Sequence, residues 1–121
     1  MAGEVSFFEL GVGDPERARA FYGELFDWDF KPGPSDETGG YAIETPSQPG
    51  GMHGGDEGVW PYLFFKVDDM DAAIERVRAL GGKVEREHEA SEASERQFGR
   101  FCFCRDDQGS RFGLHQPPPS D

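Results

Sequence analysis

The sequence predicts an α+β fold built from two tandem βαβββ modules. Three observations predict it. The chain opens on a strand whose two faces differ in character. An amphipathic helix with a clear start signal follows directly. The same pattern then restarts, so that Val12 falls on Val67, Asp14 on Asp69, Ala18 on Ala73, Tyr22 on Val77 and Leu25 on Leu80.

In the first module, Glu4–Val12 alternates Phe8, Leu10 and Val12 with Phe7, Glu9 and Gly11, the period of a strand. Asp14 is a good helix cap, Pro15 suits the first helical position, and Glu16 meets the positive end of the helix. Ala18, Phe21, Tyr22, Leu25 and Phe26 then form one apolar stripe at helical spacing. Trp28–Phe30 begins a strand, and residues 31–40, rich in Pro and Gly, form a turn region. Gly40–Glu44 and Gly51–His53 complete the module, and Gly54–Gly58 reads as a linker.

In the second module, Trp60–Val67 is the opening strand, with Phe7 of the first module falling on Tyr62. Asp69 caps a helix with a stripe of Met70, Ala73, Ile74, Val77 and Leu80, which Gly81-Gly82 stops. Lys83–Glu85 starts a strand. Residues 87–97 are polar and acidic, a mobile loop or a solvated helical turn. Phe101–Cys104 and Arg111–His115 are strands joined by the hairpin signal Asp106-Asp107-Gln108-Gly109. The chain is thus expected to form a single domain: module one at about 4–55, a linker at 56–59, module two at about 60–116 and a Pro-rich tail at 117–121. A module of this size buries too little surface alone, so the two are expected to pack around a shared site.

Charge excludes several classes of function. Twelve Lys and Arg against 24 Asp and Glu leave a net charge of −12, the wrong sign for nucleic acid or an anionic membrane surface. No apolar run approaches the roughly 20 residues of a membrane span. The acidic start, Met1-Ala2-Gly3-Glu4, is unlike a signal peptide, so a cytoplasmic protein with reduced thiols is expected. Aromatic residues make up 13% of the chain, too many for a disordered one.

Residues 14–28, DPERARAFYGELFDW, resemble the first-helix signature of the vicinal oxygen chelate superfamily, which includes glyoxalases, extradiol dioxygenases and bleomycin-resistance proteins. Val67-Asp68-Asp69-Met70-Asp71-Ala72-Ala73 resembles the counterpart in its second module, and Gly99-Arg100-Phe101 with Asp106–Gly109 resembles its closing strands. The resemblance spans residues 5–116. It implies a cup-shaped, partly open mixed sheet of glyoxalase/bleomycin-resistance type, with the site inside the cup, and it implies a homodimer. It also implies metal-ligand positions at Phe7, Tyr62, Gly113 and near Gly51. A Phe and two Gly have no donor side chain, so the usual metal site is expected to be lost.

Strand parity puts Glu9, Phe64, Lys66, Arg111 and His115 on the same face as Phe7 and Tyr62. Glu9 is either an acid/base group and hydrogen-bond acceptor for a ligand or a carboxylate paired with Arg111 or Lys66. His115 is either a base or ligand anchor, or simply the solvated end of the last strand. The expected ligand-binding set is Phe7, Glu9, His53, Tyr62, Phe64, Arg111 and His115, with Glu9 and His115 the catalytic candidates. Tyr41, Trp60 and Phe101 or Phe103 are placed at the rim. His88 is expected to be exposed. Cys102 and Cys104 share a face, as packing thiols or as a redox or metal pair.

Aromatic walls with few polar points suit a planar, uncharged or cationic molecule. The expected function is therefore a metal-independent small-molecule binding protein, without cofactor, that holds an aromatic or cationic organic ligand. The alternative is a lyase, isomerase or dioxygenase of the same superfamily. It would use one divalent metal at Glu9, His53 and His115, or cofactor-free acid/base chemistry. A third reading is an interaction module with a filled cup and no small ligand.

Overall fold

Asp14 and Asp69 start the two longer helices as their side-chain chemistry dictates. In the computed structural model, which describes residues 2–33 and 40–119, the Asp14 carboxylate accepts the backbone N–H groups of Glu16 (3.0 Å) and Arg17 (3.3 Å). Asp69 accepts that of Ala72 at 3.2 Å. These bonds satisfy donors that the first helical turn leaves free. Helix α1 (Pro15–Phe26) ends without a glycine, because Asp27 itself takes the left-handed conformation at φ 60°.

The class is α+β, with eight strands and three helices among the described residues. The chain divides into two compact units, residues 7–62 and residues 1–6 with 63–121. In the first unit, β1 (Val5–Gly11, of which residues 7–11 belong here), β2 (Asp29–Pro32), β3 (Tyr41–Glu44) and β4 (Gly50–His53) lie in the order β2-β3-β4-β1. β2 and β3, then β3 and β4, are antiparallel. The first and last strands, β1 and β4, run parallel. Beneath α1 the buried Leu10, Ile43 and Met52 form the core, with Phe8, Val12, Ala18, Tyr22 and Trp28 packed on it. This is the apolar face that alternation along β1 predicts.

The second unit repeats the plan. β5 (Tyr62–Lys66, of which residues 63–66 belong here), β6 (Lys83–Glu87), β7 (Arg100–Arg105) and β8 (Arg111–Gln116) lie in the order β5-β8-β7-β6, and β5 runs parallel to β8. Helix α2 (Met70–Ala79) covers a core of Met70, Ile74, Cys102, Cys104 and Leu114. The segment left open as loop or helical turn is α3 (Glu92–Phe98), capped by Ser91. The chain start is tied in through Gly3 N–H to Lys66 O (2.8 Å) and Lys66 N–H to Glu4 O (2.7 Å). Residues 34–39, most of the turn region expected after β2, lie outside the described residues.

The parallel pairs use glycine for space. Phe8 stands opposite Gly50, Glu9 opposite Gly51 and Phe64 opposite Gly113. A Cβ on Gly50 would lie 2.4 Å from the Phe8 ring, and one on Gly113 would lie 2.2 Å from the ring of Phe64. The large side chain of the first strand therefore lies across the bare backbone of the last. Gly113→Ala should destabilise the chain by about 1–3 kcal/mol through overpacking. Urea unfolding should show this as a lower midpoint at unchanged slope.

Candidate functional site

On β1, Phe8 and Leu10 face α1, so Phe7 and Glu9 face away from it. Gly51 gives the Glu9 carboxylate its place: a Cβ there would lie 2.4 Å from Glu9 Oε1. The other Glu9 oxygen meets His53 Nδ1 at 2.7 Å, and His53 Nε2 meets Asp56 Oδ2 at 2.9 Å. Asp56 is itself held by its backbone N–H on Val12 O (2.9 Å). Gly11 leaves room beside it, since a Cβ there would lie 2.7 Å from Asp56 Oδ2. Residue 56, expected within a linker, is thus an anchored part of the cluster.

The hydrogen bond that His53 donates to Glu9 chiefly raises the His53 pKa to about 9, with Asp56 adding to it and partial burial opposing it. At neutral pH the ring is therefore an imidazolium donating to a carboxylate on each side. The cluster carries one net negative charge and remains 38% exposed at the His53 side chain. It offers carboxylate oxygens to a donor or a cation, and its titrating group is an acid rather than a base.

The other residues singled out from the sequence have surroundings of their own. Glu9 pairs with His53, and neither Arg111 nor Lys66 is its partner. Arg111 reaches Glu85 at 3.7 Å and Lys66 reaches Glu4 at 3.8 Å. Phe7 is buried and Tyr62 half-buried. Phe64 is only 2% exposed, enclosed by Gly113 and by the rings of Phe101 (5.1 Å) and Phe103 (5.4 Å). Tyr41 lies on the α1 side, where its hydroxyl donates to Glu16, and Trp60 projects into solvent. His88 is exposed, as expected.

His115 does not end its strand in solvent. It is 3% exposed and stacked on Phe101 with ring centres 4.5 Å apart. Its Nε2–H donates to Phe98 O at 2.7 Å, and its Nδ1 accepts from the Ser6 hydroxyl at 2.8 Å. The carbonyl can only accept, which assigns the tautomer. Burial lowers the His115 pKa, and the ring is neutral. With both nitrogens engaged, His115 is a framing residue of its own unit. His115 therefore has no nitrogen left to offer the metal set expected at Glu9, His53 and His115. No three His, Cys, Asp or Glu side chains converge as a metal site among the described residues. Glu9 and Asp56 lie at opposite nitrogens of the His53 ring, an arrangement in line and not convergent. A metal at the positions the resemblance implied does not fit either. Phe7 has no donor, the space at Gly51 holds Glu9, and the space at Gly113 holds Phe64.

A model of the glyoxalase-like domain matches residues 7–115. The chain belongs to this glyoxalase-like family, within the vicinal oxygen chelate superfamily. A glyoxylase-like domain-containing protein of Didymella fabae is 32% identical to the glyoxalase-like chain over 91 residues, 67% of this chain and 70% of that one. CFP32 of Mycobacterium bovis, named as an inferred glyoxylase, is 30% identical over 126 residues, 94% of this chain. The chain spans 46% of that relative's length. Among solved structures, methylmalonyl-CoA epimerase of Mycobacterium tuberculosis superposes with a TM-score of 0.70 at 18% identity, covering 96% of this chain and 89% of the epimerase. A Streptomyces coelicolor methylmalonyl-CoA epimerase in complex with 2-nitronate-propionyl-CoA gives 0.70 at 16% identity, covering 98% and 100%. At such identities the likeness establishes the fold. No helix among the described residues of the glyoxalase-like chain is long and apolar enough to cross a membrane.

The two histidines respond to pH with opposite sign. His53 is raised when folded, so its contribution is complete below its unfolded pKa near 6.5 and is lost as pH rises through about 9. After allowance for exposure it amounts to no more than about 1–2 kcal/mol. Glu9→Gln should return the His53 pKa toward its ordinary range, as read by NMR titration of the ring protons, and should flatten this slope of the stability profile, leaving the part due to Asp56. His115→Ala should cost about 2–4 kcal/mol in urea unfolding, because it strands the Phe98 carbonyl and opens a cavity beside Phe101.

Proposed function

We propose that the chain is a metal-independent small-molecule binding protein whose site is the Glu9–His53–Asp56 cluster. Its ligand is an aromatic or cationic organic molecule carrying a positive group or N–H donors. One observation carries the reading: Gly51, a position where the superfamily resemblance calls for a metal ligand, is bare, and the Glu9 carboxylate fills the space. The exposed part of the cluster is acidic and accepts hydrogen bonds. Residues 1–57 carry 12 acids and 3 bases, a net charge of −9, which favours cations in the surrounding field. Phe7, on the same face beside Gly51, supplies an aromatic edge. Phe21, Leu25 and Phe26 of α1 are more than half exposed and offer an apolar surface for a homodimer. A cytoplasmic setting, which keeps Cys102 and Cys104 reduced, belongs to the same reading.

A second reading, cofactor-free acid catalysis, is favoured by one observation. A protonated His53 with a pKa of about 9 can lend a proton to a ligand oxygen that takes the place of Asp56, the more exposed of its two carboxylate partners, and recover it.

Both readings are tested by a thermal-shift screen of aromatic amines against neutral analogues of the same shape. The amines should raise Tm and the neutral analogues should not. Glu9→Gln should weaken binding by about tenfold or more, the loss of one charge-assisted bond. Adding Mn(II), Co(II), Ni(II) or Zn(II) should change neither Tm nor affinity. Equal binding by the wild type and Glu9→Gln overturns the site, and metal-dependent binding overturns the metal-independent reading. Chemical conversion of a bound amine, lost in His53→Gln, moves the second reading to first place.

A further inference from the structure

Beneath α2, and unrelated to the Glu9 cluster, lie two thiols that the function above does not use. Cys102 and Cys104 are both fully buried and reduced, and their Sγ atoms are 3.8 Å apart. They sit two residues apart on β7, on the face turned toward the helix. A third sulfur belongs to the same buried cluster: Met70, the first residue of α2, is 0% exposed. Ile74 and Leu114 complete the cluster, so no imidazole or carboxylate competes as a donor inside it.

We propose that Cys102 and Cys104, with the Met70 thioether as third donor, form a binding site for a soft, thiophilic monovalent cation, Cu(I). The spacing fits. Two sulfurs each about 2.3 Å from one metal stand about 3.8–4.0 Å apart at the angles of four- and three-donor geometry. Ligand softness selects the ion. Thiolate and thioether donors favour Cu(I), whereas Zn(II) asks for a four-donor shell that this apolar cluster does not supply.

Binding is a ligand substitution without redox change. Each S–H bond gives up its proton to water, the electron pair stays on sulfur and is donated to the metal, and Cu⁺ with two thiols becomes a dithiolate–Cu(I) anion and two protons. Entry is by the strand edge. β6 is the outermost strand of this unit's sheet, and its register with β7 shifts between Val84, opposite Cys104, and Arg86, opposite Phe103. The extra residue, Glu85, loosens the ladder beside the two sulfurs, and such bulges often mark where a strand edge is re-aimed or terminated.

The test is an anaerobic titration of the whole chain with Cu(I) against a chromogenic Cu(I) chelator. The chain should withdraw about one Cu(I) and show thiolate-to-copper absorption in the ultraviolet. Bound copper should slow alkylation of the two thiols under mild denaturant in the unmutated protein, a readout that needs no variant. Cys102→Ala and Cys104→Ala should each weaken retention by more than about tenfold, and Met70→Leu by less, with circular dichroism and Tm confirming the fold. Failure of the wild type to compete with the chelator overturns the proposal. So does equal retention by both alanine variants, or copper that leaves the thiols as reactive as before. None of these results bears on Glu9 or His53.

Discussion

In each unit of this chain a large side chain of the first strand lies over the bare backbone of a glycine on the parallel last strand, and the packing around it depends on that fit. The wide residue is Glu9 in one and Phe64 in the other, and the residue opposite is Gly51 or Gly113. Everything nearby follows from that match. Phe64 fills its space with a ring, Phe101 and Phe103 close on its edges, and His115 stacks on Phe101 in turn. Glu9 fills its space with a charge, which cannot be closed over without a partner. The same backbone plan therefore produces an apolar plug in one unit and a polar cluster in the other.

The contrast extends to the histidines. His53 lies between two carboxylates and is charged, and His115 lies between a carbonyl and a hydroxyl and is neutral. Neither is a free base at neutral pH. The polar chemistry of the first unit is therefore that of an acceptor surface with one tightly held proton, which suits recognition of a donor more than abstraction of a proton.

The fold was legible in the sequence because its signals are local. The Asp caps, the apolar stripes and the two-faced first strands each rest on neighbours within one element, and the repeat reinforced them. Glu9 stood out as a carboxylate in an apolar run, and its partner proved to be His53, a residue also singled out. Asp56 was missed because it sits among glycines that read as a linker. The available clue was its position three residues after His53, combined with Gly11 and Gly51, whose missing side chains make the space. His115 was misplaced for a reason no pattern carries. Its burial depends on Ser6 and on Phe98 at the end of α3, contacts set by tertiary structure. Gly50 and Gly51 matter for a reason that tertiary structure alone supplies, the clearance they leave beneath Phe8 and Glu9.

That clearance also limits how such a chain can change over time. A carboxylate introduced at residue 51 would arrive where Glu9 already stands, adding a collision and a like charge together. At residue 113 it would meet the Phe64 ring. Each step toward a metal-holding relative is thus blocked until its opposing residue has shrunk, and shrinking it first leaves a hole or an unpaired His53. The order of events acts as a ratchet. Residues around Glu9 and His53 can vary one at a time, whereas a ligand placed at residue 51 or 113 needs a paired change at residue 9 or 64.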